Sequence, residues 1–310
     1  MLSSALDDQG EKRSGASHPR PSHGEVRGEQ PFLLHVRLRD REFRLLSSFI
    51  TQETGIKMPP AKRTMLEARL QKRLKVHRMR SFGEYVDYVF SPEGTRDELV
   101  HMLDTVTTNK TDFFREPAHY RYLTERALPR LIREKELKRS LRVWSAGCSS
   151  GEEPYTLAIV LNEFKENNGG FDFSVLATDL SSRVLEKARR AVYEERKLEF
   201  VPEELKRKYF LRSKDRDRGL VRVIGELREK VLVRRLNFMA EDYELSEQMD
   251  VIFCRNVIIY FDRPQQEKLI NRFCRHLQPG GYIFVGHSET LNGLPVPVEQ
   301  EEPTVYRKRP

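Results

Sequence analysis

The chain has 310 residues, a formal net charge of +8 and three cysteines, and no apolar run reaches the ~18 residues that a membrane-spanning helix needs. The odd number of cysteines, without Cys-x-x-Cys spacing, argues against a disulfide framework or a zinc site, and no hydrophobic leader opens the sequence, so we expect a soluble, cytosolic protein of one large or two modest domains. The positive charge favours an anionic partner, but its sign alone leaves nucleic acid, an anionic membrane and an acidic protein surface open.

Residues 1–34 are rich in serine, glycine, histidine, proline and charged residues, and this composition predicts a disordered tail. Apolar residues then recur at helical spacing between Phe43 and Ile50, and Gly55 marks the end of that helix. Helical patterns continue beyond it, so the sequence predicts a basic, all-α amino-terminal domain over residues 35–108.

A second helix is predicted over residues 61–79, and it is strongly basic. Residues 62–80 include eight Lys and Arg residues against a single acid. At about 100° per residue, Lys62, Arg69 and Arg73 fall on one side of this helix and border its line of leucines. This face is either a solvated surface or a docking surface for an acidic protein or a phosphate backbone, and composition does not decide between the two.

Two capping-box spacings follow the basic helix. Ser81 with Glu84, and Thr95 with Glu98, each place a hydroxyl three residues before a glutamate, which is typical of a helix start. They predict two short helices that complete a four-helix module.

The segment TTNKTDFFREPAHY, residues 107–120, comes next. Polar side chains surround Thr111, and two phenylalanines precede Arg115. A plain linker would rarely need two adjacent aromatic residues beside an arginine. A domain-joining loop in which Phe113 and Phe114 simply pack explains them as well, so both interpretations stay open.

The stretch LRVWSAGCSSGEEP, residues 141–154, predicts a strand, a tight turn and a helix start. A turn with Gly147 and Gly151, at the carboxyl end of the first strand of a parallel sheet, lets a ligand approach the backbone closely. The spacing lacks the full G-x-G-x-x-G fingerprint of dinucleotide-binding folds, so a plain βα turn remains an alternative.

A second apolar strand, residues 173–178, ends at Asp179. An acid at this place binds ribose in α/β nucleotide folds, because a carboxylate can accept hydrogen bonds from two neighbouring hydroxyls. The alternative is that Asp179 caps the next helix. Its combination with the glycine turn favours the ligand role.

The alternation of strand and helix breaks between residues 191 and 236, where strand patterns flank the charged turn SKDRDRG and predict an inserted antiparallel β-unit. Asn237 and Phe238 follow the last of these strands, an amide beside an aromatic ring, as adenine recognition would use.

Residues 250–254 then predict a core strand that leads into RNVIIYFD. His287 follows a later strand, but no matching nucleophile motif supports an acid–base role for it.

Together, five segments resemble the signature sequences of the chemotaxis receptor methyltransferases, the CheR family: TTNKTDFFRE, VWSAGCSSGEEPYTLAI, LATDL, IFCRNVIIYFD and GGYIFVGHSE. They occur in the family's order, and the similarity spans residues 37–308. The resemblance implies an α/β fold: a Rossmann-like class I methyltransferase domain over residues 109–310, with a mostly parallel sheet and an antiparallel last strand. It also implies an inserted β-subdomain over residues 191–236 and the all-α amino-terminal domain.

The resemblance further implies the activity. The family transfers a methyl group from S-adenosylmethionine to glutamate side chains of chemoreceptors and forms methyl esters. By motif, the cofactor-binding residues would be Asn109, Thr111, Arg115, Glu152 or Glu153, Asp179, Asn237, Phe238, Arg255 and Asn256. Arg115 and Tyr260 would lie nearest the methyl-transfer centre. A glutamate with a pKa near ~4.3 is already ionised at neutral pH, so neither a general base nor a metal is expected.

The resemblance also suggests partners for the basic helix and the inserted unit. Lys62, Arg69 and Arg73 would steer the glutamate-rich methylation helices of a receptor, with a dependence on salt. The inserted unit resembles one that binds a receptor's carboxyl-terminal peptide in some members, but those members have a more glycine-rich turn than SKDRDRG. We expect a monomer without nucleic-acid or membrane-inserting activity. A cofactor-binding scaffold with little catalysis and a nucleic-acid methyltransferase are the alternatives, and the retained Arg115 and Tyr260 disfavour the first.

Overall fold

The structure of the protein is a computed structural model, and it describes residues 36–107, 111–135, 140–169 and 171–309. The predicted disordered tail over residues 1–34 and the candidate cofactor ligand Asn109 lie outside the described residues. Within the described ranges, no helix is long and apolar enough to cross a membrane.

The amino-terminal domain consists of short helices around an apolar core. Its α-helices are α1 (Asp40–Thr54), α2 (Arg63–Val76), α3 (Phe82–Val89), α4 (Pro92–Asp97) and α5 (Leu99–Val106). The leucines of α2, Leu66, Leu70 and Leu74, are buried in that core, so the helical spacing of the sequence identifies the inward face correctly. Helix α1 ends at Gly55, whose φ of 71° is the left-handed conformation of a glycine cap.

One of the two predicted capping boxes marks a helix start. Ser81 precedes α3, and its hydroxyl oxygen accepts a hydrogen bond from the backbone N–H of Glu84 (3.1 Å). The start predicted from Thr95 and Glu98 is wrong, because Ser91 caps α4 and a proline occupies the first helical position. Thr95 therefore lies inside α4 instead of before it.

The second domain is an α/β structure built on a seven-stranded sheet. A helical connection leads to it, with α6 (Pro117–Tyr122), a π-helical segment (Leu123–Ala127) and α7 (Leu128–Lys135). The strands of this sheet are β1 (Leu141–Ala146), β2 (Phe173–Asp179), β6 (Val231–Arg235), β7 (Met249–Cys254), β8 (Leu277–Val285), β9 (Val298–Glu302) and β10 (Val305–Lys308). Their order is β6-β2-β1-β7-β8-β10-β9, with β10 antiparallel to β8 and to β9 and the other neighbours parallel. This is the predicted Rossmann-like sheet with an antiparallel last strand.

Helices cover both faces of the sheet. Helices α8 (Glu152–Asn168) and α9 (Ser182–Arg190) contribute to one apolar core, and α12 (Arg263–Arg275) contributes to the other. Neighbouring residues of β1 enter different cores, with Val143 in the first and Trp144 in the second. Burial on both sides explains why the central strands are apolar almost throughout.

The inserted β-unit is smaller than the predicted range of residues 191–236. Strands β3 (Val192–Glu194), β4 (Phe210–Arg212) and β5 (Leu220–Val223) form a separate antiparallel sheet, with α10 (Glu203–Tyr209) between β3 and β4 in the chain. The predicted range also includes β6, and this is wrong: after helix α11 (Gly225–Glu229), β6 pairs in parallel with β2 at the edge of the main sheet. A short alternating strand fits either pairing, so its pattern cannot show which sheet it joins.

The parallel register places three loops side by side. Ala146 at the end of β1 is aligned with Thr178 near the end of β2, and Ser145 with Phe253 near the end of β7. The segments that follow β1, β2 and β7 therefore meet at one edge of the sheet, where ligands bind in open α/β folds.

Candidate active site

The turn after β1 packs closely against two other segments. Gly147 has a φ of 86°, and a Cβ atom there would lie 2.5 Å from Cγ2 of Val257. Gly151 has a φ of 101°, and a Cβ atom there would lie 2.7 Å from the hydroxyl oxygen of Tyr193. A side chain fits at neither position, so this approach of the backbone requires glycine. Gly147 and Ser149 form part of the wall of a pocket at the sheet edge.

Asp179 lies at the end of β2, lines the pocket and is only 9% exposed. Its Oδ2 accepts a hydrogen bond from the backbone N–H of Ser149, and its Oδ1 accepts one from Ser181, each at 2.9 Å. Burial raises the pKa of the Asp179 carboxyl, and these N–H groups oppose the shift. Asp179 is not the helix cap, because Ser181 caps α9. A carboxylate has about four acceptor positions, so it can accept further hydroxyl donors.

Glu152 and Glu153 both lie in the first turn of α8, but they face different surroundings. Glu153 lines the pocket; its Oε1 accepts a hydrogen bond from the Ser145 hydroxyl (2.6 Å), and its Oε2 accepts one from Nε of Arg255 (2.7 Å). The carboxylate of Glu152 lies 3.7 Å from Nζ of Lys197 instead, and burial raises its pKa. Of the two glutamates that the sequence could not separate, Glu153 is therefore the one at the pocket.

Arg255 is the centre of a buried polar network at the bottom of the pocket. Besides Glu153, its guanidinium donates hydrogen bonds to the backbone oxygen of Arg115 (2.6 Å) and the hydroxyl of Tyr120 (2.9 Å). Its side chain is 2% exposed. The guanidinium is thus engaged mainly with the protein itself, where it joins β7, α8 and the segment before α6.

A group of potential metal ligands, Glu116, His119 and His287, lies beside this network. The Nη1 atom of Arg255 is 3.5 Å from Glu116 and 3.3 Å from Nδ1 of His119. Burial and the nearby Arg255 lower the pKa of His119 to about 4, so its imidazole is neutral at physiological pH. The positive charge nearest to Glu116 is therefore the guanidinium of Arg255 and not the imidazole of His119. His287 is exposed, and its backbone N–H donates to Glu116 (3.3 Å).

The TTNKTDFFRE segment supplies both pocket and core residues. Thr111 and Arg115, which the family motif predicts as cofactor ligands, line the pocket, whereas Asn109 lies outside the described residues. Phe113 is fully buried among aromatic residues of the inserted unit, and Phe114 packs against the core with a φ of 54°. The two interpretations of this segment thus apply to different residues of it: the phenylalanines pack, and the polar residues face the pocket.

Asn237 and Phe238 follow β6 and also line the pocket. The Asn237 side chain is already engaged, since its amide donates to the backbone oxygen of Glu53 (2.8 Å) and its Oδ1 accepts from the N–H of Met239 (3.0 Å). Phe238 packs edge to face against Phe273 at 5.5 Å. Asn237 therefore joins the two domains, and Phe238 gives the pocket an aromatic surface.

The segment after β7 carries Asn256, Val257 and Tyr260, which all line the pocket. Asn256 has a φ of 58°, and residues Ile258–Tyr260 form a 3₁₀ turn. The backbone oxygen of Tyr260 accepts a hydrogen bond from the N–H of Lys57 (3.1 Å). The predicted transfer-centre residue Tyr260 is therefore held from the amino-terminal domain.

The amino-terminal domain forms a wall of the pocket that the sequence interpretation missed. Its contribution consists of Lys62 and a largely apolar set, Thr54, Ile56, Met58, Met65, Val106 and Thr107. The available signal was the position of Ile56 and Met58 in a short loop between Gly55 and two prolines, where apolar residues outside a helix need a surface to cover. The pocket is thus completed by both domains.

The three predicted docking cations do not share one environment. Lys62 lines the pocket, and its Nζ lies 5.7 Å from the centre of the Tyr260 ring. Arg69 and Arg73 lie in a separate groove between α2 and α9. Nε of Arg73 also donates to the buried Glu98 (2.7 Å), so its charge is compensated inside the domain. Lys62 ends the 3₁₀ turn Pro60–Lys62 before α2 begins, and of the three cations only Lys62 reaches the pocket.

The pocket residues fit the expected cofactor, S-adenosylmethionine. Asp179 offers a buried carboxylate with acceptor positions for a ribose diol, and Phe238 offers an aromatic surface for the adenine. Arg115 is a cation that can bind the carboxylate of the amino-acid part. Apolar, anionic and cationic groups are therefore all present for the matching parts of the molecule.

Two family models and several known proteins match most of the chain. The family described as "CheR methyltransferase, SAM binding domain" matches residues 109–307, and "CheR methyltransferase, all-alpha domain" matches residues 41–107. A "Chemotaxis protein methyltransferase" of Borreliella burgdorferi is 38% identical over 90% of this chain and 98% of its own length. "Chemotaxis protein methyltransferase 2" of Pseudomonas aeruginosa is 39% identical over 87% of this chain and 90% of its own. A "Chemotaxis protein methyltransferase" of Escherichia coli is 38% identical over 87% of this chain and 91% of its own length. The chain therefore belongs to the CheR family of S-adenosylmethionine-dependent chemotaxis methyltransferases.

Proposed function

We propose that this chain methylates glutamate side chains on the cytoplasmic helices of chemoreceptors, with S-adenosylmethionine as the methyl donor. The observation that carries this proposal is the pocket itself. Asp179, Glu153 and Arg115 lie at the carboxyl edge of a Rossmann-like sheet, and Tyr260 and Lys62 lie in the same pocket. We expect the protein to act as a monomer in the cytoplasm, where those receptor helices are found.

The cofactor roles follow from the surroundings of each side chain. We assign the ribose to Asp179, the adenine region to Phe238, and the amino-acid part to Thr111 and Arg115, with Asn256 completing the pocket wall. Glu153 and Arg255 hold each other and would support this end of the pocket, while Asn237 would fix its wall through the Glu53 backbone. When bound, the cofactor supplies a methyl group on a sulfonium, which is a good leaving group.

The remaining task of the chain is to orient the acceptor. The glutamate of a receptor is ionised at neutral pH and can act as the nucleophile without a base. Arg115 and Lys62 are cations that would attract and orient its carboxylate, and the Tyr260 hydroxyl can donate a hydrogen bond to it. Alignment of this kind accounts for on the order of 7–11 kcal/mol of barrier in well-oriented reactions.

The groove between α2 and α9 supports docking of an acidic partner. It is lined by five basic residues, Arg69, Lys72, Arg73, Arg183 and Lys187, and by no acidic residue of the part of the chain that the structure describes. The charge of Arg73 is compensated by Glu98, so the other four supply the attraction. Thr107 lines both this groove and the cofactor pocket, so the two are adjacent. We propose that the methylated glutamate enters the pocket while neighbouring carboxylates of the same receptor region lie along the groove.

The inserted sheet is a candidate site for a receptor's carboxyl-terminal peptide. Its outer strands β3 and β4 each pair with β5 on one side only, so each has an edge among the described strands that an extended peptide could join. Leu211 of β4 is 60% exposed and offers an apolar contact there. We propose that the β4 edge binds this peptide and so tethers the enzyme to receptors that carry one.

Incubation with labelled S-adenosylmethionine and a panel of receptor cytoplasmic fragments, with and without their terminal peptides, tests the function. We expect base-labile methyl incorporation, as for glutamate esters. The matched control is Asp179→Ala, which we expect to stay folded and to lose cofactor binding in calorimetry. No affinity of the parent for cofactor or its demethylated product would overturn the proposal, and unchanged affinity in Asp179→Ala would overturn the ribose assignment.

A further inference from the structure

The GHSE sequence after β8 contains a buried carboxylate that the cofactor and acceptor roles do not use. Glu289 is 5% exposed, and no cation forms an ion pair with it among the described residues. Burial raises the pKa of the Glu289 carboxyl, and backbone N–H groups oppose this shift. A buried charge is costly unless it is well hydrogen-bonded, so its partners indicate what it is for.

Those partners are backbone N–H groups of the segment that follows β7. Oε2 of Glu289 accepts hydrogen bonds from the N–H of Asn256 (2.8 Å) and of Gly286 (2.5 Å). Oε1 accepts one from the N–H of Ile259 (3.2 Å). The carboxylate therefore bridges the loop after β8 and the loop after β7, which belong to neighbouring parallel strands.

The bridged loop is the one that carries Asn256 and Tyr260 into the pocket. Asn256 has a φ of 58°, in the left-handed region, which is uncommon for non-glycine residues although asparagine adopts it more readily than most. Gly286 makes room for this approach, because a Cβ atom there would lie 2.5 Å from the side-chain nitrogen of Asn256. The loop after β7 is thus held in place by Glu289, which lies in the loop after β8.

We infer that Glu289 is a positioning residue for methyl transfer, which fixes the Asn256–Tyr260 backbone so that Tyr260 keeps its place in the pocket. The kinetic part of this inference rests on the proposed function. The hydrogen bonds from the loop to Glu289 do not depend on it. Neither a glutamine nor an aspartate replaces the anchor. Glutamine turns one acceptor into an NH₂ group that faces N–H donors, and aspartate is one methylene too short to reach both loops.

A double-mutant cycle between Glu289→Gln and Tyr260→Phe tests the inference, because it separates an effect through Tyr260 from a general effect on the fold. We expect Glu289→Gln to lower kcat at least tenfold in the parent and less than threefold in the Tyr260→Phe background. The acceptor KM is expected to change less than kcat. Glu302→Gln, at an exposed glutamate of β9, is the matched control and is expected to leave kcat unchanged. Equal losses in both backgrounds, or no loss in the parent, would overturn the inference.

Hydrogen exchange provides a readout that does not need activity. In the parent, the amides of Asn256 and Ile259 should be protected like those of β7, and Glu289→Gln should remove that protection while β7 keeps its own. If Glu289→Gln does not fold, Glu289→Asp takes its place. Rapid exchange of both amides in the parent contradicts the anchor. Absence of methyl transfer by the parent would instead count against the proposed function, and the exchange result would still decide on Glu289.

Discussion

At the residue scale, the two adjacent glutamates of α8 provide a matched comparison. Glu153 carries the charge that faces Arg255 in a buried pair, whereas Glu152 is buried beside a more distant lysine. We expect Glu153→Gln to lower the free energy of unfolding by on the order of 3 kcal/mol, because loss of one partner leaves a buried charge poorly compensated. It should also weaken binding of the demethylated cofactor, since Arg255 holds the Arg115 backbone. Urea unfolding and calorimetry measure the two effects.

Glu152→Gln is the control for that change, since it makes the same substitution one residue away. Burial raises the pKa of Glu152, so the folded state binds its proton more tightly than the unfolded chain does. The ionised form therefore costs stability, and this cost grows as the pH rises from the unfolded value near 4.5 through the raised folded value. We expect Glu152→Gln to be neutral or slightly stabilising at neutral pH. A larger loss in Glu152→Gln than in Glu153→Gln contradicts the assignment of Glu153 as the supporting residue.

At the element scale, the groove between α2 and α9 makes a prediction about docking. Arg183 and Lys187 lie on exposed positions of α9 and form no ion pair among the described residues. We expect the double change Arg183→Glu and Lys187→Glu to raise the KM for a receptor fragment on the order of tenfold at low salt, because it reverses the charge that steers an acidic partner. The value of kcat and the cofactor affinity should stay the same, and added salt should reduce the difference.

The control for the groove changes the same total charge elsewhere. Arg207 and Lys214 are exposed on the inserted unit, so the double change Arg207→Glu and Lys214→Glu matches the groove variant in net charge. If both variants raise KM equally, the effect belongs to overall charge and not to the groove. Steady-state kinetics at two salt concentrations, with a receptor fragment that lacks its terminal peptide, distinguish these results.

The helices and strands also show which parts of the fold and of the pocket can be predicted from the sequence. The glycine turn, Asp179 and the strands of the central sheet were predictable, because they depend on local spacing and on apolar runs. The place of β6 was not, since its pairing with β2 is decided by long-range register. The same holds for Asn237, whose amide is engaged by Glu53 in the other domain. Local patterns identify which residues reach the pocket edge, and only the packed chain shows which of their polar atoms remain available.

At the scale of the whole molecule, the cofactor pocket depends on how the amino-terminal domain packs against the α/β domain. Gly55, at the end of α1, lies at this contact. A Cβ atom there would lie 2.5 Å from Cε1 of Phe261 and 2.7 Å from Sδ of Met239. The neighbouring residues Ile56 and Met58 line the pocket. Packing between the domains and completion of the pocket are therefore linked through one short segment.

We expect Gly55→Ala to weaken binding of the demethylated cofactor at least fivefold and to lower the free energy of unfolding by about 2 kcal/mol, because a side chain there must displace Phe261 or Met239. Gly219→Ala is the control: Gly219 also has a positive φ, 53°, but an added Cβ atom would have no neighbour within 4 Å. The control therefore pays only the backbone cost of about 1 kcal/mol and should keep its cofactor affinity. Calorimetric titration and urea unfolding of both variants measure the difference, and equal cofactor affinities would show that the contact at Gly55 does not shape the pocket.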